Sequence, residues 1–487
     1  MDAGDVRRSH YKLVRHVAPW PVGRRVGKVR RAFAPSRPVC RAACALVAAL
    51  VSAPAIAEAP AAGQPATAAP AGAPVAQATQ VAQATQATPP TQVAQATQVA
   101  QATQATPPTQ VAQATPVPGA ASPAAPPGAN AQAVPAAPEP KPPPWYEQLS
   151  FDAFVETGYL YNTNQPSTRK NVLRNFDAED NTFSVSVAEL TLQRTATSPG
   201  DLGFRTDLDF GGVLPARTVS SGDLPGNFDL RQAYASWIAP VGSGLRLDAG
   251  KFVTHVGYEV IDGWDNYNDN YSRSFLFNYA IPFTHTGAKL SYTISPQIAV
   301  MGMVANGWDS TLSRTRGKTI GAQLALTPIE PLTVYLNYLG GSEMVGDGPQ
   351  TAFRQLFDVV ATYKVTSWLT VGANGDYGTE DGTSLVTPGE DAKWWGGAGY
   401  VKLEAPAGFG IALRGEFFRD EGGTRTGLGQ PVTVYEGTVT PYYKFANRFG
   451  IRAELRVDGS RDPIYPKKDG ALGTTQPTVA ANTLFVF

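Results

Sequence analysis

Cysteine is almost missing from this chain. Its two cysteines, Cys40 and Cys44, both lie near the N-terminus. The remainder therefore has neither a disulfide framework nor a thiolate metal site. Long apolar runs are also lacking. None reaches the roughly 18 residues needed to cross a bilayer as a helix. Charge is scarce, at 16% of residues against about 25% in an average globular chain. The 40 basic and 40 acidic side chains cancel. With no basic surplus to neutralise phosphates, nucleic acid is excluded as a partner. Helical periodicity is missing throughout the aromatic-rich C-terminal part.

The zero net charge is a sum over three unlike segments. Residues 1–57 carry eleven Lys or Arg and two acids, a net of +9. An apolar stretch from Ala43 follows and ends in Ala55-Ile56-Ala57. Basic head, short apolar core and small-residue exit describe a secretory signal peptide. Residues 58–144 are nearly all Ala, Pro, Gln, Thr, Val and Gly. The unit VAQATQVAQATQATPPTQ occurs at 75–92 and again at 93–110. Such a segment buries too little apolar area to offset its ordering entropy, so a disordered linker is expected. Residues 145–487 hold 28 basic and 36 acidic residues, a net of −8, and nearly every aromatic. This part is expected to fold.

Its period is two. In Ile451-Arg452-Ala453-Glu454-Leu455-Arg456-Val457-Asp458 one face is apolar and the other charged. Phe204–Phe210, Leu245–Ala249, Leu332–Tyr338 and Ile411–Phe417 repeat the alternation. Seven short turns alternate with eight longer polar loops, at 163–182, 212–226, 255–279, 309–317, 342–352, 379–391, 421–430 and 459–475. They separate about sixteen strands of about ten residues, the pattern of an all-β, antiparallel, up-and-down transmembrane barrel. A propeller would show a repeated blade motif, and there is none. The chain ends in Phe487, preceded by apolar or small residues at alternate positions. Trp145, Tyr146, Tyr159, Tyr161, Trp237, Trp368, Trp394, Trp395, Tyr442 and Tyr443 sit near strand ends and suit interfacial girdles.

The stretch Gly250-Lys251-Phe252-Val253-Thr254-His255-Val256-Gly257-Tyr258-Glu259-Val260-Ile261 is similar to a recurrent porin segment. With Tyr271–Phe277 and Ile281–Gly287 it resembles the beta-barrel porin-2, OmpL-like family over about residues 150–487. The resemblance implies an outer-membrane β-barrel with pore activity. The repeat-rich arm is not part of that pattern.

If apolar positions face lipid, the opposite parity faces the lumen. That places Asp152, Glu156, Arg205, Asp207, Asp209, Arg246, Asp248, Lys289, Asp358, Asp376, Lys402, Arg414, Glu416, Glu436, Arg452, Glu454, Arg456 and Asp458 inside. Rings of charged side chains set ion preference in channels, and about sixteen strands leave room for an aqueous channel. The plainer reading of each charge is a cross-strand ion pair that stiffens the wall. The third long loop, 255–279, is the expected constriction. It offers Glu259, Asp262, Asp265, Asp269 and Arg273 to a passing solute. The acidic spacing 262, 265, 269 suits oxygen ligation of Ca²⁺ only loosely, since it lacks the EF-hand pattern. No metal-ligand cluster, cofactor motif or phosphate-binding glycine loop is present. His255 and His285 are the histidines of the C-terminal part. Ser272, Ser274 and Ser291 lie near His285 in sequence, but nothing in the sequence orients a Ser–His pair.

The expected protein is an outer-membrane porin of a Gram-negative envelope that passes small hydrophilic solutes and ions by diffusion. It carries no catalytic centre or cofactor, contacts lipid, prefers cations mildly and assembles as a homotrimer. The alternative is a plugged, non-conducting barrel that tethers the envelope through its arm.

Overall fold

The computed structural model describes residues 144–212, 228–346, 350–445 and 448–487. The expected signal peptide and repeat-rich linker lie outside the described residues, apart from Pro144 at the linker's end.

Sixteen antiparallel strands close into one barrel. They are β1 (Ser150–Asn162), β2 (Thr182–Arg194), β3 (Leu202–Phe210), β4 (Phe228–Ala239), β5 (Leu245–Val253), β6 (Thr284–Ser295), β7 (Ile298–Ala305) and β8 (Thr319–Ile329), followed by β9 (Leu332–Met344), β10 (Thr351–Lys364), β11 (Leu369–Glu380), β12 (Ala392–Glu404), β13 (Phe409–Asp420), β14 (Val432–Phe445), β15 (Phe449–Ser460) and β16 (Thr475–Val486). Each pairs with its sequence neighbours, and β16 closes on β1 from Phe154↔Val486 to Asn162↔Thr478. The last residue shares the closure: Phe487 N–H donates to the Ala153 carbonyl at 2.9 Å. With no free edge, the ladder pairs the backbone groups that hydrocarbon would leave unsatisfied.

Burial fixes which parity faces inward. On β15, Leu455 is 59% exposed whereas Glu454 beside it is 3% exposed. The same inversion holds around the wall: Val439, Val457 and Val479 point out, and Thr438, Arg456 and Ala480 are buried. Charges inside and aliphatics outside is the reverse of a soluble protein and fits a lipid-facing wall.

Two of the aromatics expected in the girdles face the other way. Trp394 is fully buried and Tyr442 nearly so, while their neighbours Trp395 and Tyr443 lie outside. A period of two sends adjacent residues to opposite faces, so only one of each pair can reach lipid. Gly378 on β11 leaves the space for Trp394: a Cβ there would meet the indole at 2.2 Å.

Besides register shifts beside the short turns at Thr293/Ser295 and Leu326/Ile329, two β-bulges within the wall break the strict alternation. The β1–β2 register passes from Glu156↔Val187 to Thr157↔Val185, which makes Ser186 an extra residue. The β3–β4 register passes from Asp207↔Gln232 to Leu208↔Leu230, which does the same for Arg231. A bulge re-aims the side chains next to it, and both Ser186 and Arg231 turn into the barrel.

The outer face generates a direct test. Leu455→Arg puts a charge at the centre of β15 on the lipid side, at a cost of about 2–4 kcal/mol. We expect a corresponding loss in equilibrium refolding into lipid vesicles, with barrel formation otherwise intact.

Candidate functional site

The lumen is occupied by the long connection between β5 and β6, residues 254–283, designated L3. L3 leaves β5 at Val253 and turns through Gly257 at φ 91°. It reaches a half-exposed tip at residues 264–269 and returns through a fully buried π-helical turn, Leu276–Ala280. π-Turns are rare and frequent at functional sites. Except for the tip, nearly all of L3 is buried.

The wall binds L3 mainly through the loop's backbone. Glu454 on β15 accepts from the Tyr271 N–H at 2.7 Å and the Ser272 N–H at 3.0 Å. Glu416 on β13 accepts from the Phe275 and Leu276 N–H groups. Asp358 on β10 accepts from Gly257 and Asn374 on β11 from Tyr258, both at 3.2 Å. Glu189 on β2 accepts from the Trp264 N–H. From the basic side, Arg452 donates to the Asn268 carbonyl at 2.6 Å and Arg231 to the Asp262 carbonyl at 3.0 Å. A buried carboxylate is costly unless donors surround it, and a buried amide needs an acceptor. Here each supplies what the other requires.

The charges of L3 meet wall charges in the same way. Glu259 pairs with Arg414 at 2.6 Å, and Arg414 also holds Glu436 at 2.7 Å and donates to the Ser272 carbonyl. Asp262 pairs with Arg273 inside the loop. At the tip, Asp265 pairs with Arg205, and Asp269 lies 3.1 Å from Lys402. The three aspartates of the loosely calcium-like spacing thus face three different cationic partners. Wall-to-wall pairs complete the set: Arg205 with Asp207, Arg246 with Asp248, Lys289 with Asp248, Arg452 with Glu156 and Arg456 with Asp458. Asp209 lies 3.8 Å from Arg231. All twenty-three residues expected to line or constrict the pore lie on the inward face or on L3. They mostly meet one another, not an open tube.

Beyond this polar belt, toward the long loops, L3 forms an apolar core inside the barrel. Val256, Phe275, Leu276, Phe277, Tyr279, Ile281 and Phe283 pack on Leu339, Leu356, Trp394, Phe418 and Val434 of the wall and on Trp308 of the loop 306–318. Trp394 Nε1–H donates to the Ala280 carbonyl at 3.0 Å. Tyr258 stacks on Tyr400 with ring centroids 3.9 Å apart. The first loop, 163–181, closes over this core. Its Arg174 bonds Asp458 and the Arg273 carbonyl and lies 3.9 Å from the centre of the Phe275 ring. Near the short turns the lumen charges Arg246, Lys402 and Lys444 are partly exposed.

Several residues that hold L3 escaped the sequence. Arg231 was hidden by the bulge, which shifts parity by one. Glu189 lies just past the other bulge. Arg174 and Asp309 sit in loops, which have no period to read. His285 is buried, bonded to Thr254 and the Gly307 carbonyl. Ser274 donates to Glu259, and Ser272 accepts from Arg414. His285, Ser272 and Ser274 thus bond other partners.

Asp309, in the loop 306–318, clasps the end of L3 by accepting from the Phe283 and Thr284 N–H groups. Burial pushes its carboxyl up to about 7, against the lowering effect of these two amides and of Arg425. An unclasped Asp309 returns to its ordinary value of 3.8. The clasped form thus binds its proton more tightly. Its stabilisation is complete below the ordinary value and is lost as pH rises through about 7. We expect the melting temperature of the barrel to fall over that window, and Asp309→Asn to reduce the fall, as measured by thermal unfolding across a pH series.

In comparisons with known proteins, no curated protein matches this chain in sequence. Among solved structures, the outer membrane channel DcaP of Acinetobacter baumannii is similar in fold. It shows 12% identity and a TM-score of 0.50, over 70% of this chain and 97% of that one. An anion-selective porin from Comamonas acidovorans matches at 12% identity and a TM-score of 0.49, over 70% and 99%. The OmpF of Salmonella typhi, solved in complex with daunomycin, matches at 12% and 0.47, over 70% and 97%. The sequence profile of the family described as "Putative beta-barrel porin-2, OmpL-like" matches residues 148–487, the whole barrel. The chain belongs to this family of outer-membrane porins.

Proposed function

We propose that this outer-membrane porin passes small hydrophilic solutes and ions by diffusion, and that L3 sets how much passes. The observation that carries the reading is the backbone anchoring of L3. Four consecutive or near-consecutive amides, those of Tyr271, Ser272, Phe275 and Leu276, are held by just two wall carboxylates, Glu454 and Glu416. A loop held inside the lumen by a few charge-assisted bonds is a narrow constriction whose release widens the path. The partly exposed charges at the short-turn end form the vestibule through which solutes approach it. Family and fold point to a channel and not to an enzyme. The mild cation preference follows from the net charge of −8 over residues 145–487. The apolar outer face serves lipid, and it serves a neighbouring copy equally well in a homotrimer. Residues 58–144 are taken as a linker.

The apolar core between L3 and the wall favours one rival, a plugged barrel that does not conduct. Planar-bilayer recording separates the two. We expect small conductance steps from the full-length protein and steps several-fold larger from the double variant Glu416→Ala/Glu454→Ala. Each of the four amides then loses an acceptor, at about 1–3 kcal/mol apiece. Silence from both proteins would favour the tethering barrel.

A further inference from the structure

Asp358 on β10 and Asp376 on β11 stand directly opposite each other in the sheet register, both buried on the inward face. Their carboxyls lie within hydrogen-bonding reach of each other. Like charges so placed repel, and elsewhere the wall sets an arginine beside such a pair. Arg231 lies by Glu189 and its cross-strand partner Asp209, and Arg414 holds Glu436, the partner of Glu416. Among the described residues no Lys or Arg pairs with Asp358 or Asp376. Of the groups around the pair, Glu416 of β13 is charged and also acidic. Tyr258 of L3 and Tyr400 of β12, stacked on each other, are titratable but neutral.

The two carboxyls are supplied unequally. Asp358 accepts from the Asn337 amide of β9, from the Asn374 amide at 2.6 Å and from the Gly257 N–H of L3 at 3.2 Å. The orientation of Asn374 is unambiguous, because its Oδ1 takes the Tyr258 N–H. Both Asp376 oxygens are buried and accept from no described residue. Opposite Asp376 on β12 stands Gly396, which has no side chain, and Leu276 of L3 covers that gap. Trp394, on the same face two residues from Gly396, gives its N–H to the Ala280 carbonyl. A buried carboxylate without a donor is costly, whereas a carboxylic acid needs only an acceptor for its proton. An ionised carboxylate has about four acceptor positions, and at Asp358 the two asparagines and Gly257 leave one for the Asp376 hydroxyl. A metal cation would need amide oxygens turned toward it, and here both asparagines present N–H instead.

We propose that Asp358 and Asp376 bind a single proton between them, carried by Asp376, and that this proton latches the start of L3 to the wall. It lets Asp358 stay ionised beside a second carboxyl and keep its hold on Gly257. Asp358 in turn orients Asn374, which holds Tyr258. With L3 displaced, water reaches both carboxyls and the proton leaves. The held state thus binds one more proton than the released state, so rising pH favours release. The proposal deepens the constriction reading of L3 above. Its test reads the proton and the loop and not conduction, so either reading can fail without the other.

The test uses the full-length protein refolded in lipid vesicles. Infrared difference spectra of wild type against Asp376→Asn, taken at neutral pH, are expected to show loss of a protonated-carboxyl band with ionised-carboxylate absorption unchanged. Loss of carboxylate absorption instead means that both groups are ionised, as a bound cation would require, and overturns the proposal. Amide exchange is then followed from neutral to alkaline pH as protection factors. In the wild type we expect protection of Gly257 and Tyr258 to fall roughly tenfold relative to Phe275 and Leu276 as the band disappears, the worth of about one hydrogen bond. In Asp376→Asn, whose amide donates to Asp358 at every pH, it is expected to stay level. Wild-type protection of Gly257 and Tyr258 that stays level while the band is lost overturns the latch. A fall confined to Phe283 and Thr284, which Asp309 clasps, overturns it too. Mobility on unheated gels checks that the variant folds, and if it does not, the wild-type titration alone decides.

Discussion

A charge removed from water must find a partner, and this barrel is organised around that requirement. Its outer face meets lipid and carries aliphatic and aromatic side chains. Most charged positions of the strands are thereby committed to the interior. Sixteen strands enclose more space than wall side chains can fill. L3 occupies that space and meets the charges with backbone amides, carbonyls and side chains of its own. Removing one partner of such a buried set is far more destabilising than the set is stabilising, because the other charge is left stranded. The polar belt is consequently a device for position more than for stability: it fixes where L3 lies.

The apolar core beyond the belt has a different role. The side chains of Phe275, Leu276 and Phe277, whatever their amides bond, pack against Leu356, Trp394 and Phe418 much as a soluble protein packs its centre. The π-turn places these consecutive residues together inside the barrel. Polar anchoring from one side and apolar packing from the other leave L3 a single arrangement. The half-exposed tip, with Asp265 and Asp269 facing Arg205 and Lys402, is the part of L3 most open to solvent.

Much of this was legible in the sequence, for one physical reason: strands have a period of exactly two residues. Parity alone placed Arg414, Glu416, Arg452, Glu454 and Arg456 on one face, and the lack of any other layer of apolar sequence made that face the inside. Its place as the third long loop marked L3 as the expected constriction. What parity could not supply is what breaks parity. The bulges at Ser186 and Arg231 insert a residue that no alternation shows. Adjacent aromatics such as Trp394-Trp395 read alike in sequence yet face opposite ways. Contacts made by loop residues, such as Arg174 with Asp458 and Asp309 with the end of L3, join positions with no periodic relation. The charges themselves were found, but that their partners lie on the inserted loop and not only across the strand needed the fold.

The central claim is that L3 is bound inside the lumen by its own backbone. Amide hydrogen exchange, read at residue level on the protein in lipid, tests it most directly. The account predicts that the Gly257, Tyr258, Tyr271, Ser272, Phe275 and Leu276 amides are protected to about the same degree as those of β13 and β15, while residues of the tip exchange quickly. Exchange of those six amides as fast as the tip would contradict it.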